Sequence, residues 1–431
     1  MNAPGILHPN NLLPVAISPA RWHPLPLIVA AVLFLGATGP AFADVVVEWN
    51  AAMTHFNESQ PPPGVPPLEI RAYAMAHVAM FNAVDRATKE PANAEAAAAQ
   101  AAHDVLVKTL SGGAATFDAL LSSQLAAIPE GVNKTAGRKM GAEAAADILR
   151  TRADDGAAAG EGPYIPGSRP GDYQFTPPFD LPPFNGYAHF PKLGKARPFV
   201  LKSSDQFRAP PPYTIRDPEY VFDFNEVKAL GAHSSSVRTP EQTEMAQFWF
   251  EMSAFGWNRL ARVLAAQQPD SLLDHARLFA TLNTAMADAL VAGFDSKYTF
   301  NLWRPITAIH RAATDDNNLT AADPAWEPLM HTPPMPDYVS THAAQGAAAS
   351  VVLIWFFHGD EHTFTLTSTM TAQFPGLHPR AFHRISDAAQ ENALSRLFAG
   401  IHFRRACLAG LDQGRSVGAW VVQHAPYTAG R

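Results

Sequence analysis

Cysteine occurs once in this 431-residue chain, as Cys407, so no internal disulfide is available and stability has to come from packing. Charge is scarce as well. Only 16% of residues are charged and the formal net charge is −7, which leaves no basic footprint for nucleic acid. Any positive site must therefore be built from particular lysines and arginines. Beyond residue 43 no stretch reaches the roughly 18 uninterrupted apolar residues of a spanning helix, and the longest candidate, Ala347 to Phe357, is too short. Strand alternation is unconvincing throughout, and no long internal repeat is found. The 47% of hydrophobic residues nevertheless suffices for one large core or two smaller ones.

Residues 1–43 read as a secretory signal, with an apolar run from Leu25 to Leu35 and small residues at Ala41 and Ala43 before Asp44. Cleavage there implies a periplasmic or secreted protein; a retained anchor is the alternative. Residues 44–238 read as a helical scaffold followed by a wrapping loop. EIRAYAMAHVAMFNAV places apolar residues at helical steps, and the Ala-rich run after it favours helix. From Gly160 to about Tyr220, proline, glycine and aromatics exclude long helices, while the aromatics argue for an ordered segment over the core. Helical periodicity returns at Thr239, where TPEQ has the form of a capping box, and residues 239–431 form the second unit. The expected class is all-α, built of helical bundles.

Three stretches of that second unit carry the chemistry: KYTFNLWRP (297–305), PDYVSTH (336–342) and SRLFAGIH (395–402). Together they supply a lysine, two arginines, a serine and two histidines, an inventory suited to holding a tetrahedral oxyanion with imidazoles beside it. Lys297 and Arg304 lie two helical turns apart, and Pro305 disfavours helix at Arg304, placing that arginine at a helix end. Ser340 and Thr341 precede a buried helical run, where free N–H groups favour an anion and His342 stands beside them. Arg396 and His402 would diverge on an unbroken helix, so Gly400 is the expected stop between them. Each motif has a bland reading: a solvated basic face, an N-cap with a packed histidine, an ordinary helix hairpin. Two weaker signals, His358 with His362 as a zinc pair and Asp315 to Asn318 as a calcium loop, read better as turns.

The order Lys-x6-Arg-Pro, Ser-x-His after a proline-rich lead, then Ser-Arg-x5-His resembles the vanadium-dependent haloperoxidases and the acid phosphatases that share their fold. WRP at 303–305, the TPPMPDY approach and Ala287-Asp288-Ala289 resemble the chloroperoxidase type and its secreted bacterial relatives. The segments RAYAMAHVAMFNAV and RTPEQTEMAQFW extend the likeness over nearly the whole mature chain. The resemblance implies helical bundles of the haloperoxidase/acid phosphatase type and vanadate as cofactor, with phosphate as a competing anion. His402 would be the axial ligand to the metal, while Lys297, Arg304, Arg396, Ser340 and Thr341 would hold the oxygens. His342 would be the acid–base group, and Lys297 would polarise peroxide for attack by halide. In the phosphatase version His402 would attack a phosphomonoester and His342 would protonate the leaving group. A non-catalytic anion-binding homologue is the third reading.

Three departures from the family pattern stand out. Thr341 replaces a glycine and is expected to crowd the N–H facing the oxyanion, so that glycine there would tighten binding. Ala406 replaces an aspartate four residues after the final histidine, leaving the orienting carboxylate to come from elsewhere, with Asp288 a candidate, or to be absent. Met335 stands where the chloroperoxidase type has an aromatic, and an oxidisable thioether there argues against vigorous halide oxidation.

Overall fold

In the computed structural model, Asp44 caps the first helix by accepting a hydrogen bond from the Val47 N–H at 3.0 Å, and its other carboxylate oxygen lies 2.6 Å from His275 Nδ1. The structure describes residues 44–59 and 66–429, so the signal reading of residues 1–43 lies outside it. Five helices come first: α1 (Val45–Glu58), α2 (Pro66–Ala87), α3 (Ala94–Thr109), α4 (Ala114–Ala127) and α5 (Val132–Thr151). Apart from a single 3-10 turn at Leu193–Lys195, residues 153–217 are irregular, as their proline content requires. Then come α6 (Pro218–Leu230), α7 (Pro240–Phe248), α8 (Ser253–Ala265), α9 (Leu272–Phe300), α10 (Pro305–Arg311) and α11 (Thr341–Phe356). The antiparallel strands β1 (Glu361–Leu366) and β2 (Arg380–Arg384) follow, and α12 (Ile385–Phe398) and α13 (Arg404–His424) end the fold. Among the described residues it is all-α but for that short ribbon. The sequence reading missed the strands because six and five residues are too few for alternation to stand out.

Local signals account for several boundaries. Thr239 and Gln242 form the expected capping box of α7, and Ser271 with Asp274 forms another at the start of α9. Helix α9 is the axis: α2 packs against it from the N-terminal half, while α11 and α13 pack against it from the C-terminal half. Helices α11 and α13 approach most closely where Gly410 and Gly414 face α11. A Cβ on Gly410 would lie 2.5 Å from the Ser340 carbonyl, and one on Gly414 would lie 2.1 Å from that of Ala344. Only the missing side chains permit this contact, which sets the height of the α11 N-terminus over α13.

The irregular segment is fastened to α9 by Asp288. Its carboxylate accepts hydrogen bonds from the backbone N–H groups of Phe199 (2.6 Å), Val200 (2.8 Å) and Leu201 (2.9 Å). Asp288 therefore anchors the wrapping loop and is not the orienting carboxylate suggested as one option by the sequence. Burial raises its pKa to about 6, against the opposing pull of the three amides. Because the folded value lies above the unfolded one, near 3.8, the native state binds this proton more tightly. The stabilising contribution is complete below about pH 4 and is lost as pH rises through about 6. Urea unfolding of wild-type and Asp288→Asn protein between pH 4 and 7 checks this: the wild type should lose on the order of 2 kcal/mol relative to the variant as pH rises. A constant difference would show that Asp288 does not titrate in this window.

Candidate active site

Lys297 lies in the last turn of α9, which ends at Asn301 in the left-handed region (φ 53°). Its ammonium donates to the carbonyls of Pro336 (2.7 Å) and Asp337 (3.1 Å). Arg304 follows in extended conformation just before Pro305 opens α10, so the proline does place it at a helix end, the start of a new helix. Arg304 Nε donates to the Met335 carbonyl at 2.6 Å; Nη1 donates to that of Ile401 at 2.7 Å and to His402 Nε2 at 3.0 Å.

Gly400 does break the third motif. It has φ +77°, and its N–H bonds the Leu397 carbonyl (2.9 Å) while that of Ile401 bonds the Arg396 carbonyl (3.2 Å), closing α12 with a Schellman turn. Arg396 thus ends α12 facing inward, and His402 precedes α13. Arg396 Nη1 donates to the Trp249 carbonyl at 3.0 Å, and its guanidinium lies over the Phe250 ring. Its Nε is buried with no hydrogen-bond partner.

Ser340 is the N-cap of α11; its hydroxyl accepts a long 3.4 Å bond from the Ala343 N–H, and its own N–H bonds the Ala406 carbonyl at 2.9 Å. Thr341 and His342 occupy the first two helical positions, whose N–H groups an α-helix leaves without an internal partner. The expected crowding by Thr341 is relieved. Its Cγ2 occupies the space beside Gly293 of α9, where a Cβ would approach it to 2.8 Å. His342 Nε2 lies 3.0 Å from the Glu251 carbonyl.

The carboxylate that Ala406 does not supply is Asp337. Its Oδ1 lies 2.8 Å from His402 Nδ1 and 3.9 Å from Arg304 Nη1. The contact has the distance of a hydrogen bond without its ideal angle, since both atoms lack a well-aligned partner. With Arg304 donating to Nε2, the proton of a neutral His402 sits on Nδ1, and the Nε2 lone pair faces the cations. Asp337 stood inside a quoted motif. The available signal was a lone acid in an apolar, proline-rich approach.

Electrostatically the cluster is lopsided, with Lys297, Arg304 and Arg396 buried around one carboxylate. Burial, reinforced by Arg304, holds the Lys297 pKa well below its usual value; burial holds Arg396 down to about 9. Burial and the neighbouring arginines keep His402 and His342 neutral. Burial pushes Asp337 up to about 7 against the pull of Arg304 and Lys297. A bound oxyanion would reverse the shifts of the cations, so anion binding and protonation of Lys297 are coupled. The hydrogen-bond donors fit a tetrahedral oxyanion: three cations, among them Arg396 with its orphaned Nε, and a helix N-terminus, while the His402 Nε2 lone pair accepts from Arg304 beside them. A cavity of about 160 Å³ opens onto it, lined by Arg304, Arg396, His342, His402, Thr341 and Met335 among others.

The weaker signals carry no site. His358 lies in a turn with φ 59° and His362 lies in β1, so the two do not share a helical face, and Asp315 closes a turn through Asn317 and Thr320. No group of three metal-ligating acidic, cysteine or histidine side chains occurs among the described residues.

Fold and site together give a helical protein with a buried cationic cluster between helix ends. The chain is similar to the vanadium-dependent haloperoxidases: residues 277–430 match the family described as the VCPO second helical-bundle domain. It is 26% identical over 365 residues to the vanadium chloroperoxidase of Curvularia inaequalis, an alignment covering 66% of this chain and 59% of that curated relative. The solved structure of a bacterial vanadium-dependent iodoperoxidase superposes with a TM-score of 0.73 at 26% identity, covering 88% of this chain and 95% of the other. A holo-type bacterial vanadium-dependent chloroperoxidase shares the fold, with a TM-score of 0.69 at 16% identity over 90% of this chain and 98% of the other.

Two substitutions test the geometry. Asp337→Asn should weaken orthovanadate binding about 10- to 100-fold in calorimetric titration, the usual consequence of removing a partner that orients a ligating histidine. An unchanged affinity would leave His402 positioned by other contacts. Thr341→Gly, which empties the space beside Gly293, should cost about 1–2 kcal/mol of stability in urea and bring no gain in vanadate affinity. Tenfold tighter binding would restore the view that Thr341 obstructs the cage.

Proposed function

We infer that the chain is a vanadate-dependent haloperoxidase-type enzyme, a peroxidase oxidising halide with hydrogen peroxide, exported to the periplasm or the medium. One observation carries this reading: Arg304, Arg396 and His402 line one cavity with Thr341 and His342 of the α11 N-terminus, and Lys297 is bonded to the Pro336 and Asp337 carbonyls just before that helix. Bound vanadate would supply an electrophilic centre that activates peroxide. Lys297, Arg304 and Arg396 would hold its oxygens with charge-assisted donors, Ser340 and the N–H of Thr341 would add neutral ones, and His402 would be the ligand to the metal. The Arg304 bond to Nε2 leaves the proton of His402 on Nδ1, beside Asp337, and Nε2 unprotonated. His342 is neutral and lines the cavity, so it accepts a proton from incoming peroxide and later returns it.

A phosphomonoesterase with His402 as nucleophile would use the same donors. It needs a protonated His342 to release the leaving group, whereas burial and Arg396 hold that imidazole well below its ordinary pKa. The 26% identity to a vanadium chloroperoxidase over 365 residues favours the oxidative reading. Export accords with the signal-like residues 1–43, and no helix among the described residues is long and apolar enough to cross a membrane.

Protein loaded with orthovanadate should oxidise bromide or iodide with peroxide, and omission of vanadate should abolish the activity. Hydrolysis of 4-nitrophenyl phosphate, inhibited by vanadate, would support the phosphatase instead. His402→Ala should remain folded and retain less than about a tenth of turnover in either assay. Greater residual activity in both would remove His402 from its role.

A further inference from the structure

The cavity beside the cations also has an apolar wall. Opposite the cations it is lined by Pro67, Ile70, Leu290, Phe294, Pro333 and Met335, and at their edge stands His189, from the wrapping loop. The backbone of His189 is pinned on both sides: its N–H donates to the Pro334 carbonyl at 2.7 Å, and its carbonyl accepts from the Tyr298 hydroxyl at 2.5 Å. The ring is oriented too. Its Nδ1 lies 2.8 Å from the Tyr187 hydroxyl, which donates to Glu161 Oε1 at 2.8 Å. The other oxygen of Glu161 accepts from the Phe190 N–H at 3.4 Å.

A phenol has one proton to give. If Tyr187 gives it to the carboxylate, Tyr187 must accept at its oxygen from His189 Nδ1–H, and Nε2 of His189 is left with a lone pair. That nitrogen has no hydrogen bond to a described residue, it is not sealed from solvent, and His189 is one of the residues that line the cavity. Burial keeps this imidazole neutral, although Glu161 opposes the shift. Carboxylate, phenol and imidazole in line are the arrangement that orients a general base. Phe294 and Met335 line the same cavity and offer an apolar ring stacking and thioether contacts.

We propose that His189, oriented by Tyr187 and Glu161, is a catalytic base for an organic substrate of the phenol class, bound with its ring on the apolar wall and its hydroxyl on His189 Nε2. The chemistry rests on the haloperoxidase-type reading, which supplies hypohalous acid. The phenol proton passes to His189 Nε2. A ring carbon ortho or para to the resulting phenolate attacks the halogen of hypohalous acid, the oxygen–halogen bond breaks, and hydroxide leaves. Hydroxide takes the proton from His189 and becomes water, and the ring C–H proton moves to the phenolate oxygen. Phenol and hypohalous acid thus become halophenol and water.

The test needs neither vanadate, peroxide nor halide, so it stands apart from the haloperoxidase assays. The wild-type chain is titrated with 4-nitrophenol, followed through nitrophenolate absorbance, and with 4-nitroanisole, which lacks the acidic hydrogen. Nitrophenol should bind with enhanced ionisation, and nitroanisole at least about tenfold more weakly, the difference expected of one charge-assisted hydrogen bond. His189→Gln should lower nitrophenol affinity at least about tenfold and abolish the enhanced ionisation, with Tyr187→Phe intermediate. Equal affinities for the two ligands, or for wild type and His189→Gln, overturn the proposal, as does the absence of nitrophenol binding. Should the glutamine variant not fold, the 15N shift of His189 Nε2 in the wild type decides: nitrophenol must move it toward the protonated value, and an unmoved signal overturns the proposal. A chain that oxidises halide yet fails these tests loses this site alone.

Discussion

Burying three cationic side chains around one imidazole is the constraint on which the C-terminal half is organised. Taken out of water, Lys297, Arg304 and Arg396 need other oxygens, and backbone carbonyls provide them: Pro336 and Asp337 for the lysine, Met335 and Ile401 for one arginine, Trp249 for the other. A helix interior cannot offer its carbonyls in this way, because each already accepts from the fourth residue on. The chain accordingly leaves helical geometry at Asn301, through the proline-rich approach and at Gly400. Those breaks are where the site is.

Within the cluster Asp337 does two things. It offsets part of the positive charge, and it stands 2.8 Å from the His402 nitrogen that the Arg304 bond leaves carrying the proton. The position four residues after the histidine keeps a role through its backbone, since the Ala406 carbonyl receives the N–H of Ser340 and fixes the start of α11 against α13. Gly410 completes this contact by letting the Ser340 carbonyl approach the α13 backbone. Electrostatic orientation and close packing converge on the same few residues, so small changes in helix spacing would reach the donors directly.

The N-terminal half does not contribute to the cationic cage, but it does contribute to the cavity. Pro67 and Ile70 from α2 and His189 from the wrapping loop line it, and the loop holds its place because Asp288 gathers three successive amides. The loop is ordered without regular structure because side chains and backbone of α9 take up its polar groups: Tyr173 N–H bonds the Asn301 carbonyl and Tyr298 bonds His189. Its aromatics do the packing.

The sequence by itself determined what depends on near neighbours. Helical periodicity, the capping box at Thr239, the proline before α10 and the glycine that stops α12 were legible because each acts over one or two turns. The motif residues that the structure brings together, Lys297, Arg304, Ser340, His342, Arg396 and His402, were legible as a set because their side-chain chemistry is shared. Tertiary structure alone decided what depends on contacts between distant segments. Asp337 meets a histidine 65 positions later, Thr341 fits because Gly293 leaves room, and Asp288 serves the loop instead of the site. No local pattern encodes these choices. Spacing specifies how a helix forms and ends, whereas the partner of a buried polar atom is set by which helices pack, at what height and with which side chains missing.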